Sequence, residues 1–263
     1  MIKAAVTGAC GQMGGLIIQN IVKAENLQLS AAFDIVNIGK DAGEVAHAGA
    51  LKIPISDARD IKTVLIETDT DVLIDFTIAD ATVQNAPAAA GCGVNLIIGT
   101  TGLSFQQRAI IDDAILKNDV SAVISPNFSV GVNIFFNILK QTAKYLSDYD
   151  IEIIEAHHNR KKDAPSGTAM KAADVISKTL GDKEYVFGRH GTAPRNKEIG
   201  IHAVRGGDIV GDHTVLFAGD GERIEIKHQA HSRNMFAVGA VKAAEWVCGK
   251  PPGVYTMDDI LGL

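Results

Sequence analysis

The chain has 263 residues, 46% of them hydrophobic and 21% charged, with a formal net charge of −6. That is the composition of a globular protein with a sizeable core, long enough for two domains or one large α/β unit. The acidic balance argues by bulk charge against a nucleic-acid or anionic-membrane partner, and no apolar run has the length of a membrane span.

The N-terminus, MIKAAVTGACG, enters a strand and a glycine-rich turn at once, with no secretory layout, so a cytoplasmic location is expected. Ile2–Thr7 is the first predicted strand. Gly8-Ala9-Cys10-Gly11-Gln12-Met13-Gly14 follows, and Leu16, Ile17, Asn20, Ile21 and Ala24 then recur at helical spacing. Leu27–Phe33 is a second strand, ending at Asp34. Strand, glycine turn, helix, strand and acid form the layout of a dinucleotide-binding unit. Glycine permits a tight turn and close approach of backbone to a pyrophosphate at the helix N-terminus. Asp34, twenty residues past Gly14, is placed to accept hydrogen bonds from ribose hydroxyls.

The turn departs from the usual fingerprint in carrying Cys10 where the second glycine stands. Its place near a helix N-terminus favours a thiolate and suggests sensitivity to oxidants. No cation follows Asp34 until Lys40; Ile35 and Val36 stand there instead. A carboxylate facing a 2′-phosphate without a cation is repulsive, so NADH is expected to be preferred to NADPH.

Asp71–Phe76 is a buried strand ending at Thr77, followed by a helix over Ala79–Ala90. Val94–Ile98 runs into Gly99-Thr100-Thr101-Gly102, with a helix over Ser104–Lys117. Ser121–Ile124 runs into Ser125-Pro126-Asn127-Phe128. Alternating strands and helices imply a parallel sheet with right-handed crossovers, and ligands bind beyond the carboxyl ends of such strands. Thr77, Gly99–Gly102 and Ser125–Phe128 all fall there. After Phe128 the character changes. A helix over Val130–Leu146 precedes the strand of Ile151–His157, and another spans Thr168–Leu180. Extended runs then cover Glu198–Val204, Val210–Ala218 and Arg223–Ala230, an α+β unit on a mostly antiparallel or mixed sheet. Val210, Thr214, Leu216, Ile224 and Ile226 are candidates for an apolar face used between subunits. Met235–Cys248 returns to helix, and Val254–Leu261 is a tail without a clear signal.

The chemistry concentrates in IEIIEAHHNRKKDAPSGTA, residues 151–169. A strand can hold imidazoles rigidly, the loop Asn159–Asp163 brings cations beside them, and Ser166, Gly167 and Thr168 open a helix whose free N–H groups favour an anion. Imidazole, ammonium and anion cradle suit a carboxylated substrate that needs proton transfer. Adjacent strand residues point to opposite faces, so His157 and His158 share a site only where the strand ends or bulges. The other histidines, and the widely spaced Cys10, Cys92 and Cys248, show no metal-ligand spacing, and no metal is expected.

These segments resemble the dihydrodipicolinate reductase family. The resemblance covers nearly the whole chain: GACGQMG at the start, GTTG at Gly99, SPNFSVGVN at Ser125, the His-His-x-x-Lys-x-Asp-x-Pro-Ser-Gly-Thr element, RGGDIVGDHTV at Arg205 and HQAHSRNMFAVGA near the end. It implies NAD(P)H-dependent reduction of 4-hydroxy-tetrahydrodipicolinate to tetrahydrodipicolinate with loss of water, in lysine and diaminopimelate synthesis. By the same resemblance His157 is the proton donor/acceptor and Lys161 a proton donor. His158, Gly167 and Thr168 bind the small dicarboxylate substrate. Cofactor is held by Gly8, Ala9, Cys10, Gly11, Gln12, Met13, Asp34, Gly99, Thr100, Thr101, Ser125, Pro126, Asn127 and Phe128. Residues 1–129 and 234–263 are then a Rossmann-type nucleotide domain, and residues 130–233 a substrate and oligomerisation domain, with a homotetramer as the assembly. Two other readings stay open at this stage: another two-domain NAD(P)-dependent dehydrogenase of amino acids or sugars, and a non-catalytic NADH-sensing regulator.

Overall fold

A computed structural model describes residues 1–263. The chain divides into two compact units, Met1–Val130 with Asn234–Leu263, and Gly131–Arg233. In the first unit the elements are β1 (Ile2–Thr7), α1 (Gln12–Lys23), β2 (Leu27–Asp34), α2 (Ala42–Val45), β3 (Ile55–Asp57), α3 (Ile61–Glu67), β4 (Val72–Asp75), α4 (Ala79–Ala90), β5 (Asn95–Ile98), α5 (Phe105–Lys117) and β6 (Ser121–Ile124). The helix α6 (Val130–Tyr145) leads into the second unit, which holds β7 (Asp150–His157), α7 (Gly167–Leu180), β8 (Tyr185–Phe187), β9 (Ile199–Arg205), β10 (Gly211–Gly219) and β11 (Glu222–Ala230). The chain closes with α8 (Asn234–Val247), β12 (Gly253–Tyr255) and α9 (Met257–Leu261).

The first unit is a seven-stranded parallel sheet in the order β12-β6-β5-β4-β1-β2-β3, the α/β architecture expected from the alternation of strands and helices. Its strands read as apolar runs because both faces are covered. Along β1, Ala4 and Val6 pack into the core shared with α1 and α8, whereas Ala5 packs into the core shared with α3, α4 and α5. In α1 the buried residues Gly14, Ile17, Ile18 and Ile21 repeat at helical spacing and form a single stripe. Ser104 and Gln107 form a reciprocal capping box that starts α5.

The strand order reverses between β1 and β4, the switch point where α/β sheets open a crevice. There a Cβ on Gly8 would lie 2.9 Å from the Thr77 methyl. The turns after β1 and β4 therefore touch each other.

The stretch Val254–Leu261 is not a featureless tail. Residues Gly253–Tyr255 pair in parallel with β6 and extend the sheet, and Thr256 with Asp259 caps α9. Three extended residues are too few to register as a strand until a neighbour supplies the ladder. β8 escapes a reading from sequence for the same reason, pairing in parallel with β9.

The second unit carries a five-stranded sheet in the order β11-β10-β7-β9-β8. Pairings of β10 with β7 and β11 are antiparallel, whereas β9 pairs in parallel with β7 and β8, so the sheet is mixed rather than mostly antiparallel. One face packs on α6 and α7, burying Ile151, Ile153, Ile199, Ile201, Val215 and Phe217 against Phe135, Leu139, Ala169, Ala172, Ala173 and Ile176. Ile224 and Ile226 stand opposite Phe217 and Val215, on that same face. They do not share the outer face with Thr214 and Leu216, as their even spacing in separate strands suggested, because register across a hairpin decides the face. No helix is long and apolar enough to cross a membrane.

Candidate active site

In the first unit, the turn after β1 has the features of a pyrophosphate cradle. Gly8 adopts φ +68°, a conformation that a side chain resists. A Cβ on Gly14 would overlap the Gly8 carbonyl oxygen, so helix and turn meet closely only with glycine there. α1 starts at Gly11 without a side-chain cap on its N-terminus, the arrangement that suits a bound phosphate. Asp34 braces the turn from β2: its Oδ2 accepts from the Cys10 amide at 2.9 Å, and its Oδ1 from the Ile35 amide at 2.7 Å. Oδ1 also accepts from the Val36 amide at 3.3 Å, so it is Oδ2 that keeps a further lone pair for a ribose hydroxyl. These residues fit a dinucleotide.

Burial, with Asp34 beside it, pushes the Cys10 thiol above its ordinary pKa despite the Asn37 amide donating to Sγ at 3.5 Å. The helix N-terminus alone favours a thiolate, and burial with the carboxylate beside it works in the opposite direction.

Loops after β4 and β5 are tied together by a buried carboxylate that sequence inspection left without a role. Asp75, 1% exposed, accepts from the Thr77 amide at 2.9 Å and hydroxyl at 2.6 Å, from Thr82 at 3.1 Å, and from Asn85 at 2.9 Å. Thr100 joins through Thr82 at 2.7 Å. An acid closing an otherwise apolar strand was the available signal. Gly99 is required by Phe76, whose ring a Cβ would overlap, and Thr101 is exposed. Ser125 turns its hydroxyl onto the Asn127 carbonyl at 2.9 Å. The Phe128 ring is core, 1% exposed and 5.3 Å from Phe76, so it is not offered to a ligand.

In the second unit, β7 ends at His157, and His158 is the first residue beyond it. Beyond the end of a strand its strict alternation of faces no longer applies to His158. Around them the loop is clamped: the Gly206 amide donates to the His157 carbonyl at 2.9 Å, Asn159 to Gly207 at 3.2 Å, and the Lys161 amide to the His158 carbonyl at 3.1 Å. His157 is 9% exposed; its Nδ1 meets Glu155 Oε2 at 2.7 Å, and its Nε2 would be 3.0 Å from a Cβ on Gly211. Lys161 Nζ pairs with Asp163 at 2.9 Å rather than with either imidazole.

Burial pushes His158 below the ordinary histidine pKa, and Arg160 and Arg233 push the same way. Its Nδ1 is buried without a partner, a state that an incoming acceptor would relieve. Ser166 caps α7, its hydroxyl accepting from Ala169 at 3.2 Å. Gly167 is exposed and a Cβ on it would meet nothing within 4 Å, so the start of α7 is open at that residue.

Sequence inspection assigned no role to Glu155, Arg205 or His213, which bind this corner together. Arg205 grips Glu155 at 2.7 and 2.8 Å and the Asp163 carbonyl at 2.6 Å. His213 Nε2 meets the Ser166 hydroxyl at 2.9 Å, and its burial, with His157 nearby, lowers its pKa to about 4. The i, i+2 spacing of Glu155 and His157 on a strand was the signal for one of them; the others lie on distant strands.

Comparison with known proteins bears on what this arrangement is. The family model described as dihydrodipicolinate reductase, N-terminus, matches residues 2–128, and that for its C-terminus matches residues 131–261. A 4-hydroxy-tetrahydrodipicolinate reductase of Methanococcoides burtonii is 73% identical over 262 residues, covering 100% of both chains. The protein of that name from Methanosarcina mazei is 71% identical over 263 residues, again covering 100% of both. The chain belongs to the dihydrodipicolinate reductase family. A solved dihydrodipicolinate reductase, the dipicolinate-bound protein from Paenisporosarcina sp. TG-14, shares its fold at a TM-score of 0.82 and 26% identity, over 99% of each chain. Members of this reductase family are oxidoreductases with a nicotinamide-binding first domain, the class to which the cradle of Gly8–Gly14 and Asp34 conforms.

Proposed function

We propose that the chain is a 4-hydroxy-tetrahydrodipicolinate reductase, converting that substrate to tetrahydrodipicolinate with loss of water, in the lysine and diaminopimelate route. The observation that carries this reading is end-to-end identity above 70% with two proteins of that name. Consumption of reduced nicotinamide dinucleotide in the presence of freshly prepared substrate tests it. An NADH-sensing regulator or a dehydrogenase of another substrate would give no turnover in that assay.

A bound reduced nicotinamide supplies the hydride from its C4. The protein supplies orientation and protons. In this reading Gly8–Met13, Asp34, Gly99–Thr101 and Ser125–Phe128 hold the dinucleotide, and residues 1–129 with 234–263 are its domain. Residues 130–233 take the substrate. Its two carboxylates, the groups that dipicolinate carries in the Paenisporosarcina structure, are held by His158 and by the Gly167 and Thr168 amides at the positive end of α7. His157 takes or gives a proton through Nε2, and Lys161 leaves Asp163 to deliver one. An ion pair whose acid side chain is 63% exposed is worth under about 1 kcal/mol, so exchanging partners costs little. The reading carries with it a cytoplasmic location and a homotetramer joined through the outer face of the mixed sheet, where Ile154 and Val204 are exposed.

His158→Ala is expected to raise substrate KM about ten- to a hundredfold, the effect of losing one hydrogen bond to a charged group, with kcat changed little. Steady-state kinetics decide, and a loss confined to kcat would reverse the assignment of the two histidines. For the cofactor, Asp34 faces the ribose with Lys40 turned onto Asn37 at 2.9 Å. A preference for NADH of about tenfold in kcat/KM is expected from like-charge repulsion of a 2′-phosphate; a strong preference for NADPH would overturn it.

A further inference from the structure

Glu155 is fully buried, yet it is an acid on a strand that a hydrophobic residue would suit as well. Its four hydrogen bonds come from three different parts of the unit. Oε2 lies 2.7 Å from His157 Nδ1 and accepts from Arg205 Nη1 at 2.7 Å. Oε1 accepts from Arg205 Nη2 at 2.8 Å and from the Ser166 amide at 2.9 Å. Arg205 and the Ser166 amide can only donate, and between them they take both oxygens; toward the ionised carboxylate that they favour, Nδ1 must donate as well. A simple ion pair with Arg205 would need neither the imidazole nor the Ser166 amide.

We propose that Glu155 is the positioning residue of this site, holding neutral His157 as the tautomer with its proton on Nδ1, so that Nε2 is the atom that exchanges a proton during turnover. The same carboxylate sets the start of α7 against that imidazole, because its second oxygen holds Ser166, the cap from which the Gly167 and Thr168 amides follow. Imidazole and anion cradle thus share one anchor, and Arg205 locks that anchor by bonding both of its oxygens. The groups around His157 agree with this assignment. Glu155 lies on its own strand, and Arg205 on β9 is turned onto the carboxylate. His213 on β10 lies edge-on at 5.2 Å between ring centroids. Gly211 leaves room beside Nε2 that any larger residue would fill. The proposal rests on the reading of His157 as the proton-handling group.

The test is Glu155→Gln. The amide keeps the shape but must aim its NH2 at donors on one side or the other. Ser166 and Arg205 cannot become acceptors, whereas His157 can, by moving its proton from Nδ1 to Nε2. The variant therefore inverts the tautomer, and kcat is expected to fall by about 10²–10⁴ with KM changed far less. Nitrogen-15 spectra of histidine-labelled protein, recorded where His157 is neutral, read the tautomer directly. Proton on Nδ1 in wild type and on Nε2 in Glu155→Gln, with turnover partly restored in Glu155→Asp, is the supporting result. Wild-type protein with the proton on Nε2 overturns the proposal even if the variant fails to fold. Unchanged kcat in a folded Glu155→Gln overturns it too. His157→Asn separates the two levels: a large loss there beside an active Glu155→Gln removes only the proposal, whereas an active His157→Asn removes the reading beneath it.

Discussion

Replacing Lys161 by alanine is expected to lower kcat at least about a hundredfold, the typical contribution of a positioned general acid, with thermal stability nearly unchanged. The second half of that expectation follows from geometry. Lys161 is held by its backbone, through the 3.1 Å bond to His158, so truncating the side chain leaves the loop in place. What its ammonium loses is a pair with the largely exposed Asp163, an interaction of small value in water. Lys161→Arg sharpens the result: guanidinium keeps the charge but does not release a proton near neutrality. If the arginine variant turns over like wild type, the residue contributes charge alone; if both variants do, it has no role in the chemistry. Steady-state kinetics with unfolding curves for the three proteins make the measurement.

The second large effect is on stability. Arg205→Met leaves Glu155 buried without the partner that grips both of its oxygens, and breaking such a pair from one side costs about 3–5 kcal/mol. The pH dependence carries the diagnostic sign. Burial works against the Glu155 carboxylate, but the Arg205, His157 and Ser166 bonds outweigh it and hold the pKa below the ordinary value. Its contribution in wild type is therefore fully present above the unfolded pKa of about 4.3 and is lost as pH falls through the lower folded value. In Arg205→Met the guanidinium is gone and burial acts to raise the pKa, so protonation relieves the variant over an interval of falling pH that lies above the one in which wild type responds. The stability gap between the two proteins should narrow over that interval in denaturant titrations. A gap independent of pH would mean that Arg205 acts by packing, not by holding a charge.

Much of this protein was legible one residue at a time. The alternation of apolar strands with helices of regular stripe, the glycine turn ahead of α1, and Asp34 at the end of β2 are local patterns, and local patterns survive into the fold because backbone sterics and burial act within a few residues. Likewise the cap at Ser166 and the adjacent histidines stand in one unbroken segment. Register, in contrast, is a relation between strands. Nothing in the hairpin sequence tells whether Ile224 faces the helices or the outside until it is set against Phe217. β12 is too short to be a strand until β6 lies beside it.

Sequence by itself determined the class of fold and singled out the segments proposed to carry the chemistry, since periodicity, glycine at a strained turn and the His-His-x-x-Lys loop need no partner to be recognised. The tertiary structure alone decided what surrounds each group. It put Asp34 against the Cys10 amide, Arg205 and Ser166 on the two oxygens of Glu155, and His213 beside His157, across sequence separations of 11 to 56 residues. Desolvation and Coulomb interactions depend on distance in space and not along the chain. For that reason the charge state of a thiol and the tautomer of an imidazole belong to the fold.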